Sequence, residues 1–266
     1  MFLYAALVTA CISTAQSNLQ AQEVPPRATE HQWWYGVGHG NVLDTYLSPS
    51  SYTGWTMGVW HRTERLARWG KQRVTVQGLY GVDVAHLAVA SDDDKAWDGL
   101  LTASGGCHYN WHPWNNTRLA LGGLVEGALG FTYLLKGGNN PAQARCSTNL
   151  LLSAIAERQF SLWKRVWKAR VQLDVPMLGV AFSPQYGQSY YEIFSLGHYN
   201  KNIRATHPFN APSLRCHMGL TIPVGKAMLN IGYMADIRQS EVNHLKHHAW
   251  KHYFLVGYTR KLQLIR

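Results

Sequence analysis

Apolar and polar side chains alternate with a period of two residues along most of the chain. In residues 167–175, every odd position is apolar and every even position is polar or charged, as the stretch WKARVQLDV shows. Successive side chains of a β-strand point to opposite sides, so this alternation predicts strands with one apolar and one polar face. The pattern recurs in 118–135, 145–162, 213–222 and 228–238, and less cleanly in 52–66, 74–89, 97–111 and 250–262.

The lengths of the strands and of their connections favour a membrane barrel over a soluble sandwich. Transmembrane strands need about 9–11 residues, whereas strands of soluble proteins usually have about 5–6. Connections alternate between short ones at 65–73, 112–117, 162–165 and 223–226, and longer or more polar ones at 90–97, 136–145, 183–212 and 239–248. This predicts an all-β protein, a closed antiparallel up-and-down transmembrane barrel of about ten strands, or eight if 31–47 is not a full strand. Both termini and the short turns are then expected in the periplasm.

Aromatic residues gather at the two ends of the predicted strands. Five tryptophans lie at or beside the short turns: Trp69, Trp111, Trp114, Trp163 and Trp167. A second group lies toward the other strand ends: Trp97, Tyr133 and Trp250. Two such girdles are typical of membrane barrels, where the rings lie at the two membrane–water interfaces. The alternative is aromatic packing in a soluble core.

Charge does not point to nucleic acid, although the net charge is +10. The basic residues are spread over alternating runs and turns rather than clustered on a helix or an arm, as nucleic-acid binding would favour. Anionic outer-membrane lipid and lipopolysaccharide fit this distribution equally well and are the predicted partners. Other outer-membrane proteins stay open as partners.

Residues 1–21 are predicted to be an export signal. Phe2–Ala10 form an apolar core, small residues follow, and Ala15 and Ala21 are candidate cleavage positions, although no Lys or Arg precedes the core. An N-terminal strand is the alternative, and lipidation of Cys11 is a second one. Residues 22–30 are expected to form a periplasmic segment, and 31–266 the barrel.

A barrel of this size has a narrow lumen that side chains largely fill. The polar strand faces assign nine charged residues to it: Asp83, Glu126, Glu157, Lys168, Arg170, Asp174, Arg215, Asp236 and Arg238. Buried charges must pair, and five acidic residues against four basic ones nearly neutralise each other. We therefore expect a packed polar interior rather than a conducting pore.

The predicted loop 183–212 is the best candidate for a functional segment. It is rich in aromatic residues, which are enriched at protein interfaces, and five of them are candidates for partner binding: Tyr186, Tyr190, Tyr191, Phe194 and Tyr199. Packing of the loop on the barrel rim is the alternative. The loop also holds Ser189, Glu192 and His198, the residue types of a hydrolase triad. A serine-containing lipase pattern after Gly197 is absent, so these are weak catalytic candidates.

Metal binding has two weak candidates. The run Asp92–Asp94, with His86 upstream, offers carboxylate oxygens for Ca²⁺ and resembles the acidic pairs of outer-membrane proteases. Four histidines, His244, His247, His248 and His252, offer ligands for zinc, but only Glu241 accompanies them. A solvated acidic turn and structural histidines explain both groups, so we predict no metal and no cofactor.

Four segments carry a resemblance to a known family. They are NVLDTYLSPSSYTG at 41–54, NNPAQAR at 139–145, FSPQYGQSYYEIFSLG at 182–197 and HAWKHYFLVGYTRKLQLI at 248–265. The chain resembles, from about residue 35 to its end, a family of outer-membrane proteins of Bacteroides-type bacteria that is known only as a domain of unknown function. The resemblance implies a Gram-negative outer-membrane barrel, and it implies no activity, cofactor or catalytic residue.

The sequence thus predicts a multi-pass barrel of the cell outer membrane. The expected role is non-catalytic, as a structural or accessory subunit of a larger outer-membrane assembly. A lipid-modifying hydrolase at the rim and a narrow channel are the alternatives, so enzymatic activity stays open.

Overall fold

The computed structural model describes residues 28–91, 93–136, 141–225 and 227–263, and most of them lie in long antiparallel strands. The strands are β1 (Ala28–Asp44), β2 (Ser51–Leu66), β3 (Val74–Ala88), β4 (Lys95–Trp114), β5 (Thr117–Leu134), β6 (Ala142–Leu162), β7 (Arg165–Phe182), β8 (Ile203–Thr206), β9 (Leu214–Val224), β10 (Ala227–Val242) and β11 (Leu245–Gln263), with one short helix, α1 (Tyr190–Phe194). No helix in these ranges is long and apolar enough to cross a membrane.

The ten long strands close into a barrel, and the short β8 extends its wall. Each long strand pairs with its neighbours along the chain, and β1 pairs with β11 from Ala28 opposite Gln263 to Asp44 opposite His247. Closure pairs each long strand on both sides over most of its length, as a membrane requires of strands that cross it. The prediction of a closed, antiparallel, ten-stranded barrel is confirmed. β1 starts at Ala28, so residues 28–30, predicted to precede the barrel, belong to its wall.

The alternation along each strand sorts the side chains between lumen and outer surface. On β5, Glu126 is only 2% exposed whereas its neighbour Val125 is 52% exposed. The same alternation holds for β6 and β10, where polar residues such as Ser153 and Asn230 are fully buried. Polar side chains therefore line the interior and apolar ones cover the outside, as in transmembrane barrels.

The two ends of the barrel differ in their connections. The described chain ends lie at the end with the tight turns, including Asn115–Asn116 and Trp163–Lys164, where Asn116, Trp163 and Lys164 adopt positive φ as two-residue hairpins require. At the opposite end, β10 and β11 are joined by another two-residue turn, Asn243–His244. The length of the longer or more polar connection predicted at 239–248 is therefore wrong, because residues 239–242 belong to β10 and residues 245–248 to β11.

The predicted loop 183–212 contains both α1 and β8. β9 pairs with β7 only from Lys168 to Asp174, and β8 takes over the pairing from Gly179 to Phe182. Between these stretches lies Pro176, which has no backbone N–H to donate, beside a β-bulge of the β6–β7 pair. Residues 183–213, which we name the cap, thus connect β7 to β9.

Several predictions fall on residues outside the described ranges. They are the export signal 1–21 with Cys11, residues 22–27 of the N-terminal segment, and Asp92 of the acidic run.

Candidate functional site

All nine charged residues assigned to the lumen from the sequence point into the barrel. At the end that carries the termini, the Lys168 ammonium lies 2.8 Å from a Glu30 carboxylate oxygen. Arg118 and Arg170 share the Glu64 carboxylate, each with one nitrogen 2.6 Å from one of its oxygens. Arg118 also contacts Glu157 at 3.1 Å. These pairs hold several strands together across the lumen.

The middle of the lumen is organised around Arg215, which reaches two carboxylates. Its guanidinium lies 2.6 Å from Glu126 and 3.1 Å from Asp174. Arg238 contacts Glu126 at 3.1 Å and Asp236 at 3.1 Å. Every charge in this group has an opposite partner, which offsets the cost of burying it.

A third group lies toward the capped end. The Lys251 ammonium contacts Asp83 and lies 2.7 Å from Asp98. Arg145 bridges from Asp98 to Asp44, with 3.3 Å between its nitrogen and the Asp44 oxygen. Because Arg145 is on β6 and Asp44 on β1, this bridge crosses the barrel.

Sequence reasoning missed part of this network. The further charged side chains in the lumen are Glu30, Asp44, Arg62, Glu64, Asp98, Arg118, Arg145 and Lys251. Most of them lie on the polar face of their strand. Whether the inward positions of a strand are the odd-numbered or the even-numbered residues is therefore the signal that locates them. This signal does not locate Glu30, because the predicted strand began at residue 31.

An apolar cluster fills the lumen between the charged groups. The members of this Trp60 cluster are Trp34, Trp60, Met234, Tyr253 and Leu255. The Trp60 indole lies on inward-facing glycines, and a Cβ added at Gly81 would be 2.2 Å from its Cδ1 atom. The sequence predicted a polar interior, so this cluster is an unexpected feature. Its members come from β1, β2, β10 and β11, so it occupies the lumen on that side of the barrel.

Two larger cavities lie among the described residues, and they share no lining residue. One of about 140 Å³ lies under the cap and is lined by Arg145, Arg238 and His247 among others. The other, of about 550 Å³, lies at the end with the tight turns and is lined by Trp114 and Lys168 among others. They are recesses at the two ends of the barrel.

The weak catalytic candidates turn out to build the start of α1. The Ser189 hydroxyl accepts a hydrogen bond from the Glu192 backbone N–H at 3.2 Å, and the Ser189 N–H donates to the Glu192 carboxylate at 2.7 Å. This capping box lowers the pKa of the Glu192 carboxyl. In a triad the histidine lies between serine and carboxylate. Here the serine hydroxyl and the carboxylate are in direct contact at 2.9 Å, and His198 donates its backbone N–H to the backbone carbonyl of Glu192 at 3.0 Å.

Hydrogen bonds from three places on the rim hold the cap over the mouth of the barrel. The Tyr190 hydroxyl accepts from the Ala144 N–H on β6 at 2.7 Å. The Tyr46 hydroxyl, between β1 and β2, donates to the Gln188 carbonyl at 2.9 Å, and burial raises the pKa of Tyr46 to about 12. Asn243 donates to the cap carbonyl of Lys201 at 3.0 Å. Since β1 and β6 lie on opposite sides of the barrel, the cap spans its mouth.

The five aromatic candidates of the cap divide into one anchor and four exposed rings. Tyr190 is the anchor, and Phe194 stacks on it with ring centroids 5.9 Å apart. Tyr186, Tyr191, Phe194 and Tyr199 are all exposed. Phe209, which sequence reasoning missed, is 95% exposed on the same cap.

The family follows from a comparison of the whole sequence with family models. The model described as "Protein of unknown function (DUF3316)" matches residues 2–266. The chain belongs to this family. The resemblance to a domain of unknown function is thereby confirmed, whereas its assignment to Bacteroides-type bacteria stays a prediction. No curated protein matches the chain.

This DUF3316 member is also similar to solved outer-membrane structures. The β-domain of the Bordetella autotransporter BrkA is 14% identical, with 88% of this chain and 100% of that one covered and a TM-score of 0.45. The transport unit of the autotransporter AIDA-I from Escherichia coli is 12% identical, with 96% of this chain and 97% of that one covered and a TM-score of 0.43. An outer membrane channel from Pseudomonas putida F1 is 9% identical, with 94% of this chain and 100% of that one covered and a TM-score of 0.41. Identities this low indicate no activity for the DUF3316 chain.

Metal-binding groups are dispersed over this DUF3316 barrel. His247 points into the lumen, His248 and His252 face outward, and His244 lies in a turn. Asp94 accepts a hydrogen bond from the Tyr52 hydroxyl at 2.7 Å. Among the described residues, no three His, Cys, Asp or Glu side chains converge to hold a metal ion. The described residues of the lumen and the cap thus offer paired charges and exposed aromatic rings.

Proposed function

We propose that the protein is a non-catalytic barrel of the outer membrane and an accessory subunit of a larger assembly, with the exposed face of the cap as its docking surface. The observation that carries the proposal is a cap hydrogen-bonded to the rim on three sides that still exposes Tyr186, Tyr191, Phe194, Tyr199 and Phe209. Aromatic rings held on a fixed backbone are the residues that dominate interface energies.

The filled lumen supports docking over transport. The Trp60 cluster and the three charged groups occupy the interior between the two cavities. A solute would have to break several buried ion pairs to pass, and each broken pair costs about 3–5 kcal/mol. A channel role therefore has less support than a role of the outer surfaces.

The capping box argues against the hydrolase alternative. Ser189 and Glu192 already satisfy each other and the helix start. If the rim were catalytic, Ser189→Ala would abolish lipid hydrolysis by the purified protein. We expect that the purified wild-type protein does not hydrolyse lipid. Lipid hydrolysis that is lost in Ser189→Ala would contradict the proposal.

The docking test removes exposed rings but keeps the anchor. We expect the triple variant Tyr186→Ala, Tyr191→Ala and Tyr199→Ala to fold and to lose proteins that co-purify with the wild type in mild detergent. The control is Trp69→Ala with Trp163→Ala, which removes exposed rings at the opposite end. Quantitative mass spectrometry of the purified samples gives the readout. An identical set of bound proteins in all three samples would contradict docking through the cap.

Orientation has its own test. We propose that the cap faces outward from the cell and that the termini face the periplasm. Lys136→Cys, at the capped end, should react with an impermeant maleimide on intact cells, whereas Lys71→Cys at the other end should not. Reaction at residue 71 alone would invert the orientation.

A further inference from the structure

Two rows of aromatic and imidazole side chains cross the outer surface of four neighbouring strands in exact register. In the upper row, His252 of β11, His39 of β1, Trp55 of β2 and His86 of β3 lie directly opposite one another. In the lower row, the same strands contribute Tyr258, Trp33, His61 and Tyr80. We name these two rows and the eight outward side chains between them the ring face.

Neighbouring rings contact each other in both rows. Trp33 stacks on His61 with centroids 4.3 Å apart, and Trp55 stacks on His86 at 5.8 Å. At the β10 side, the Tyr233 hydroxyl lies 2.6 Å from Nδ1 of His252.

The spacing of the rows places polar groups at membrane depth. On every one of the four strands the rows are six residues apart, for example from Trp33 to His39. A strand needs about 9–11 residues to cross the hydrocarbon core. At least one of the two rows must therefore lie within the hydrocarbon core, and each row contains three imidazole or phenol groups. Polar groups at that depth are costly and mark functional surfaces.

The upper row continues onto β4 and β5 as Trp97 and Tyr133, but the outer surface of β5 and β6 is otherwise aliphatic. The outward positions of β5 from Leu119 to Phe131 hold only Leu, Val, Phe and Gly, and those of β6 from Cys146 to Ala156 include Thr148 as their one hydroxyl. We name this surface the aliphatic face. All histidines that face outward from the described strands lie on β11, β1, β2 and β3: His31, His39, His61, His86, His248 and His252.

We propose that the ring face is covered in the membrane by the ring face of a second copy of this chain. Every copy inserts in the same direction, so a twofold axis along the membrane normal brings like rows to like depth. A neutral imidazole has one donor and one acceptor nitrogen, so imidazoles can bond to each other. His31 and His61 do so within the chain, at 3.3 Å.

The charge and size of the ring face suit self-association. It contains no Asp, Glu, Lys or Arg, so two copies meet without like-charge repulsion. Six residues at about 3.3 Å and strands about 4.8 Å apart give a patch of roughly 400–500 Å² per copy, including flanking rings. Standard interfaces use about 800 Å² per partner. The dimer is therefore reversible and sensitive to single changes. It is separate from the cap and does not depend on the docking role.

Cross-linking tests the proposal with a matched pair of valines. Val37, at the centre of the ring face, is 62% exposed, and Val125, on the aliphatic face, is 52% exposed. In a background with Cys11, Cys107, Cys146 and Cys216 replaced by Ala, we expect Val37→Cys to give a homodimer with a short bismaleimide in native membranes. Val125→Cys should stay monomeric. Equal homodimer at both positions, none at either, or a Val37→Cys adduct with a different protein would overturn the proposal.

A second arm removes two imidazoles of the upper row and leaves His252 with its Tyr233 partner. His39→Leu with His86→Leu, in the Val37→Cys background, should lower the cross-linked fraction about tenfold, because membrane hydrogen bonds contribute modestly and four imidazoles are lost per dimer. Heat-modified gel mobility reports folding independently. Undiminished cross-linking in this folded variant would overturn the role of the imidazoles. If the variant does not fold, the comparison of Val37→Cys with Val125→Cys decides alone.

Discussion

Two sectors of the barrel wall use their faces differently. In the aliphatic sector, strands β4 to β7 and β9, charged residues such as Asp174 and Arg215 point inward and aliphatic residues cover the outside. In the ring sector, strands β11, β1, β2 and β3, large apolar residues such as Trp60 and Leu255 join the interior and imidazoles lie outside. Departures from a general pattern concentrate at functional surfaces. The ring sector is therefore the part of the wall for which we propose a role beyond spanning the membrane.

The largest expected effect concerns the interior of the aliphatic sector. Arg215→Leu leaves Glu126 and Asp174 without their shared partner and should lower the free energy of unfolding by about 3–5 kcal/mol. Arg204→Leu on the exposed β8 is the control, with an expected change within about 0.5 kcal/mol. Urea unfolding in lipid vesicles measures both. Similar values for the two variants would mean that the charge network does not stabilise the barrel.

The next effect compares the two outer faces directly. Val125→Arg on the aliphatic face should cost about 2–4 kcal/mol of folding free energy in vesicles, the range for arginine near the bilayer midplane. Val37→Arg should cost less, because its guanidinium can reach the polar groups of the nearby ring row at His39. Equal costs would remove the distinction between the two faces at that depth.

A smaller effect tests the apolar interior of the ring sector. Gly81→Ala places a Cβ 2.2 Å from Cδ1 of Trp60 and should destabilise the barrel by about 1–3 kcal/mol through overpacking. Gly127→Ala, on β5, is the matched control because no atom lies within 4 Å of its Cβ. Thermal unfolding followed by gel mobility separates them. A neutral Gly81→Ala would show that the Trp60 cluster is loosely packed.

The smallest effect concerns the cap, which joins the two sectors through Tyr46 and Ala144. Hydrogen bonds from the Ser189 N–H and hydroxyl lower the pKa of Glu192 in the folded cap. Its contribution is therefore complete above the ordinary carboxyl pKa and is lost as pH falls through the lowered value. The protection of α1 amides against hydrogen exchange, relative to the intrinsic rate at each pH, should fall in acid for the wild type. In Glu192→Gln this protection should already be lower at neutral pH and should lack the acid dependence.

The sequence by itself determined the type of wall. Backbone geometry sends successive side chains of any strand to opposite sides, so the alternation around Asp174, Glu126 and Arg215 located their common face without knowledge of neighbouring strands. Length and aromatic spacing then distinguished a membrane barrel from a soluble sandwich. All of this information is local to one strand.

Only the tertiary structure decided what meets across strands. His252, His39, Trp55 and His86 come from distant parts of the chain, and their row exists because hydrogen-bond register and closure align four strands. The same holds for Arg145 reaching Asp44 across the lumen, and for Trp60 facing Gly81. Ser189 suggested catalysis as an isolated residue type, but its backbone position made it a helix cap. A shift of register by one residue would move every side chain of a strand to the opposite side of the barrel wall. The interactions that prevent this shift are contacts between residues of different strands, so no single segment of the sequence contains them.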